Sequence, residues 1–199
     1  MQLPLFPLNL VIFPEGILPL RIFEPRYLQM VRDCAKNQQE FVVCSLDENQ
    51  TLKQAADSSW VGTACEIIDF ETMPDGLLGI TARGTRRVMI SEPTQDANEL
   101  ILVTTETIPE EPDESLPDSF LEWSKIIPLI TQKMGGAYAN QEHKLASAQW
   151  VGARMAEYLP FELAHKQRIL EIDYPLIRLN YLQDILQEAE YYLSKGNLS

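Results

Sequence analysis

Histidine and cysteine are scarce in this chain of 199 residues, and their placement excludes most metal and redox chemistry. The only histidines, His143 and His165, stand far apart in polar helical contexts and are expected on exposed helix faces. Cys34, Cys44 and Cys65 are odd in number and contain no CxxC pair, which fits neither a disulfide framework nor a zinc site. They are expected as buried thiols, packed as small hydrophobes. The sequence also has no GxxxxGK[ST] phosphate loop, no GxGxxG after a strand and no GxSxG elbow. The adjacent acids Glu110/Glu111 and Asp47/Glu48 belong to stretches that read as loops, where carboxylates stay solvated and useless for acid–base work. No catalytic residue, cofactor or metal ligand is therefore expected.

Positive charge is in short supply as well. Sixteen basic residues face 29 acidic ones, for a net charge of −13, and both halves of the chain share the excess. Such a surface repels phosphate backbones and anionic lipid, so neither nucleic acid nor a membrane is an expected partner. Long apolar runs are missing too. The opening stretch is rich in Leu, Ile and Phe, but Pro4, Pro7, Pro14 and Pro19 break it, and no base precedes Arg21. It suits neither a signal peptide nor a spanning helix, and a cytoplasmic, folded protein is expected.

What is present divides at "IPEEPDESLPDSF" (108–120), where prolines and acids without a base disfavour a packed element. Ahead of it, short apolar and β-branched runs read as strands. "EFVVCSL" (40–46) is one, and the two runs flanking the turn "PDG" (74–76) form a hairpin. One amphipathic helix interrupts them, opened by Pro25 and presenting Tyr27, Leu28, Val31, Cys34 and Ala35. Behind 108–120 the pattern is helical. Ser119 is placed to cap a first helix, Leu145, Ala148, Gly152, Met155 and Leu159 share a face of a second, a short third follows Pro160, and Pro175 opens a long fourth. The class is α+β, with a β-rich lobe over 1–108, an acidic connector over 109–118 and a helical bundle lobe over 119–199.

Two motifs carry clustered charge. "ARGTRR" places Arg83, Arg86 and Arg87 together as a candidate contact for a phosphate or carboxylate, since arginine offers a planar fork to either. Against that, Gly84 permits a bulge, and the arginines can pair with the chain's own surplus acids. "RIFEPRY" alternates Arg21, Glu24 and Arg26, a pattern suited to ion pairs holding the first strand to the first helix.

The stretch "LPLFPLNLVIFPEGILPLRIFEPRYLQMV" resembles the start of the Lon protease N-terminal domain, as found in stand-alone members of that family. The resemblance continues through "VGTACEIIDF", "DGLLGITARGTRRVMI" and "AEYLPFELAHKQRILEIDYPLIRLNYLQDIL", in order and across almost the whole chain. It implies a β-barrel or curled sheet related to PUA-like folds, followed by a helical lobe. It further implies a non-catalytic module that recognises exposed apolar or unfolded polypeptide and works beside a separate protease or chaperone, without ATPase or peptidase of its own. Exposed apolar residues near the "PEG" turn (14–16) are then the candidate contacts: Phe13 and Ile17, with Phe23 beyond them. Core packing is the competing role for each. A small-molecule or RNA-binding PUA-like module is the alternative function.

Overall fold

Alternation and continuity of apolar residues explain the strands of the computed structural model, which describes residues 1–45 and 60–196. Strand β1 (Gln2–Leu8) is buried on both faces. Its Leu3 and Leu5 point toward Val42, Val88 and Val103, while Phe6 points the other way, toward Tyr27 and Phe41. A strand covered on both sides reads as an unbroken apolar run rather than an alternating one. Strands β2 (Ile17–Ile22), β3 (Phe41–Ser45), β4 (Trp60–Thr72), β5 (Leu78–Gln95) and β6 (Ile101–Thr107) complete one sheet in the order β2-β5-β4-β3-β1-β6. β1 and β3 run parallel; the other pairings are antiparallel. β6 also pairs with the distal half of β5, from Val88↔Thr107 to Gln95↔Ile101, so the sheet curls until its last strand meets β5. Between β4 and β5 the turn closes at Gly76, whose φ of 83° suits glycine.

Helix α1 (Pro25–Asn37) packs on the sheet through Tyr27, Met30, Val31 and Cys34, with Phe6 and Tyr27 rings stacked 4.1 Å apart. The expected face was off by part of a turn. Leu28 and Ala35 are exposed, and Met30 takes their place because the i, i+3, i+4, i+7 set beginning at Tyr27 includes it.

The second half holds a 3₁₀ turn (Asp118–Phe120) and helices α2 (Leu121–Met134), α3 (Gly136–Ala139), α4 (Ala148–Tyr158), α5 (Leu163–Glu171) and α6 (Pro175–Gly196). With α1 these make six helices among the described residues, and the α+β class is as expected. Ser119 does not cap α2, because the 3₁₀ turn leads directly into it. Ser147 instead caps α4, its Oγ accepting from the Trp150 N–H at 3.2 Å. Gly152 lets α6 approach α4 closely, since a Cβ there would already lie 3.3 Å from Arg178 and Leu179. Among the described residues no helix is long and apolar enough to cross a membrane.

The acidic stretch is not wholly solvated. Leu116 and Phe120 are buried, and the Leu116 N–H donates to the Ala146 carbonyl at 2.8 Å. The Glu111 side chain is only 3% exposed, contrary to expectation, because it lies between the buried guanidiniums of Arg87 and Arg178. Asp47 and Glu48 lie outside the described residues.

Candidate functional site

The "PEG" turn and the "ARGTRR" motif meet. One extra residue, Thr85, bulges β5 where Ala64 pairs with Arg86 and Cys65 with Gly84. Into that bend the turn docks by main-chain bonds: the Glu15 N–H donates to the Gly84 carbonyl at 2.8 Å, and the Gly84 N–H to the Gly16 carbonyl at 2.9 Å. The approach leaves no room for a side chain, since a Cβ on Gly84 would fall 2.3 Å from the Phe13 carbonyl oxygen. Glu15 adopts a φ of 63°, unusual for a non-glycine residue. Gln141 holds it by donating to its carbonyl at 2.6 Å, and Lys144 pairs with its carboxylate at 2.7 Å.

Helix α4 grips the turn from the other side. The Phe13 N–H donates to Glu157 Oε1 at 2.8 Å, and Arg154 Nη2 donates to the Pro14 carbonyl at 2.9 Å. Arg154, fully buried, lies with its Nε 2.9 Å from Glu157 Oε2 and its guanidinium over the Trp150 ring. Burial pushes the Glu157 carboxyl above its ordinary range, against the opposing pull of Arg154, the Phe13 N–H and Lys166.

This clamp seats the opening segment against the helices with a cleft of about 410 Å³ between them, within the range of ligand sites. Leu10, Ile12 and Ile17 form one wall; Tyr138, Phe161 and Leu163 stand on the other. The Tyr138 and Tyr158 rings meet edge to face, and the Tyr158 hydroxyl donates to Gln141 Oε1 at 2.9 Å. Burial raises both phenols. Glu157 and Lys166 are the charged residues of the lining. A wider hollow of about 860 Å³ beside the end of α1 has a mixed lining, with Gln38, Gln39, Glu40 and Glu66 beside Met1, Ile67 and Phe70.

Of the residues singled out in the sequence, Ile17 lines the cleft, half-buried. Phe13 does not offer a surface: it is 0% exposed, packed beneath the turn with the Arg178 guanidinium 5.7 Å above its ring. Phe23 is 64% exposed but lies beyond β2, away from the lining. The three arginines are each met by the chain's own acids. Arg83 pairs with Glu66 and Arg86 with both oxygens of Glu40, at 2.6 Å each. Arg87 is 4% exposed and pairs with Asp173 at 2.9 Å, while also donating to the Leu170 and Ile172 carbonyls. Arg21 reaches Asp75 of the hairpin, and Glu24 pairs with Arg26 next door, so no ion pair joins β2 to α1 through this motif. Both histidines are half-buried rather than exposed: His143 Nε2 lies 3.2 Å from Thr131 Oγ1, and His165 Nδ1 3.0 Å from Tyr181 OH.

Sequence reasoning missed Leu10, Tyr138, Phe161 and Lys166. A signal existed for Phe161 alone: it follows the helix-ending Pro160, an apolar residue outside any helical period.

Comparison with known proteins agrees with this architecture. The family model described as the ATP-dependent protease La (LON) substrate-binding domain matches residues 2–188. The crystal structure of a Lon N-terminal domain protein from Xanthomonas campestris is 31% identical, with a TM-score of 0.73 over 92% of this chain and 98% of that one. The N-terminal domain of Mycobacterium avium complex Lon protease shares the fold at 16% identity, with a TM-score of 0.59 over 92% of this chain and 97% of that one. Lon protease of Cytophaga hutchinsonii is 26% identical over 199 residues, covering 94% of this chain and 24% of the protease. Lon protease of Escherichia coli K12 is 20% identical over 192 residues, covering 94% of this chain and 24% of the protease. The chain thus spans about a quarter of the length of the curated relatives it matches. With its sheet, its helices and nearly its full length aligned to one family model, the chain belongs to the LON substrate-binding domain family.

Proposed function

We propose that this chain is a non-catalytic polypeptide-recognition module, and that it takes an apolar segment into the cleft between the opening segment and the helices. The observation that carries the reading is that cleft, with Ile17 and Leu10 facing Tyr138 and Phe161 across about 410 Å³. The family's substrate-binding character supports it. Recognition is by side chains more than by main-chain pairing. Among the described residues β2 is a free edge of the sheet, but Pro19 in its middle has no N–H to offer an added strand. Binding of this kind depends on buried apolar area and changes little with salt.

The test is fluorescence anisotropy of the protein against a labelled, permanently unfolded polypeptide. Ile17→Asp should weaken binding at least about tenfold, because a carboxylate would be forced into the apolar wall. Phe23→Asp should leave it within about twofold. Undetectable binding to the unfolded polypeptide, or equal loss in both variants, overturns the proposal.

A further inference from the structure

The charges at the floor of the cleft do not cancel. The Glu157 carboxylate is already held by Arg154 and by the Phe13 N–H. Lys166, on α5, lines the same cleft and donates from Nζ to the Glu157 main-chain carbonyl at 2.8 Å. An ammonium has three donors. That carbonyl uses one, and among the described residues no carboxylate lies within ion-pair distance of the group. Arg154 and Glu157 pair with each other, so among the described residues Lys166 is left as a cation with no carboxylate in contact, in a protein whose net charge is −13. Partial burial pulls the Lys166 ammonium below its ordinary range, against the Glu157 carboxylate nearby, which is the mark of a cation short of solvent.

We infer that the cleft receives the C-terminal end of a polypeptide, with the last apolar side chains against Ile17 and Phe161 and the terminal α-carboxylate on Lys166 Nζ. The inference rests on the polypeptide-binding reading above and narrows it. One cation beside apolar side chains such as Phe161 and Leu163 fits one anion attached to an apolar body. A phosphate backbone brings many charges, which a surplus of 29 acids over 16 bases repels. An apolar polypeptide segment carries no charge along its backbone, and its one obligatory anion is the α-carboxylate, adjacent to its last side chain. A carboxylate on a half-buried ammonium forms a charge-assisted hydrogen bond and returns to Lys166 the stabilisation that burial removed. Lys166 also caps one C-terminal carbonyl of α4, that of Glu157, a structural role that would not distinguish one ligand terminus from another.

The experiment titrates the full chain with two fluorescein-labelled peptides of one sequence, polar in the first half and apolar in the second, ending either in a free carboxylate or in an amide. The acid should bind about tenfold more tightly than the amide. In Lys166→Met the acid and the amide should bind with equal affinity, whatever loss the two peptides share. Lys166→Arg should keep a preference for the acid. Equal binding of both peptides to the wild type overturns the C-terminal assignment and leaves polypeptide binding standing. A preference that persists in Lys166→Met overturns the role of Lys166. Failure of both peptides, together with failure of the unfolded polypeptide, overturns the assignment along with the reading beneath it.

Discussion

Cys34 and Cys44 are both buried, and burial pushes their thiols up from the ordinary value of 9.0 to about 11. Cys65, fully enclosed, is raised as well. In alkaline solution the unfolded chain gives up thiol protons that the folded protein keeps. The native state therefore binds more protons between pH 9 and 11, and stability falls as pH rises through that window. The slope is roughly 1.4 kcal/mol per pH unit for each such thiol once the unfolded value is passed. Tyr27 and Tyr158, also raised by burial, act with the same sign at the top of the window. Urea titrations across it should show the decline, and Cys44→Ala should make it shallower; a flat profile would mean the thiols meet solvent. A second residue-scale test concerns Gly84. A Cβ there meets the Phe13 carbonyl oxygen at 2.3 Å, and that oxygen is main chain and cannot swing aside. Gly84→Ala should cost about 2–3 kcal/mol in chemical denaturation, and a loss below about 0.5 kcal/mol would mean the turn and the bend are not docked. The sequence marked "PEG" and "ARGTRR" as unusual, yet nothing local says that they touch. Their contact depends on a bulge whose extra residue, Thr85, has no distinguishing chemistry.

At the level of elements, bounds follow pattern where a run has a physical stop such as Pro25, Gly76 or Pro175, whereas α4 begins only at Ala148, past Leu145, and ends before Leu159. The acidic stretch before α2 was the place where composition misled. Five acids and three prolines describe the average residue of 108–120, and Glu110 is exposed accordingly. Glu111 is the exception because its partners, Arg87 on β5 and Arg178 on α6, are remote in sequence and visible only after folding. Its carboxylate lies 2.7 Å from Arg178 Nη1 and 3.4 Å from Arg87 Nε. Arg87 keeps Asp173, but removing the Glu111 charge leaves the buried Arg178 without a counter-charge, so Glu111→Gln should lose about 3–5 kcal/mol. Glu110→Gln, changing a solvated neighbour, should stay within about 0.5 kcal/mol. Denaturant midpoints of the two variants decide the matter; similar small losses in both would place Glu111 in solvent.

Across the whole molecule, the change in composition near residue 108 suggests two lobes, but the largest core cluster ignores that boundary. Val11, Phe13 and Val61 from the first half pack with Trp150, Met155, Ile169 and Leu179 from the second. Hydrogen bonds follow the same seam: Gln167 Nε2 donates to the Val61 carbonyl at 3.0 Å, Arg154 to Pro14 and Arg87 to Leu170. Neither part can expose its face of this cluster without stripping the other, so heat or urea should unfold the chain in one cooperative transition. The tryptophans make this measurable, with Trp60 on β4, Trp123 on α2 and Trp150 on α4. A Trp60→Phe variant reports from the helices, and a Trp123→Phe/Trp150→Phe variant reports from the sheet. Within each variant the fluorescence midpoint should coincide with the far-ultraviolet dichroism midpoint, whatever shift the substitution itself brings. Two separate midpoints within a variant would mean that the lobes fold independently and that the cleft lies between movable bodies. Under the cooperative outcome the clamp of Arg154 and Glu157 on the opening turn fixes both walls of the cleft before any ligand arrives, and a peptide seated there should raise both reporters' midpoints together.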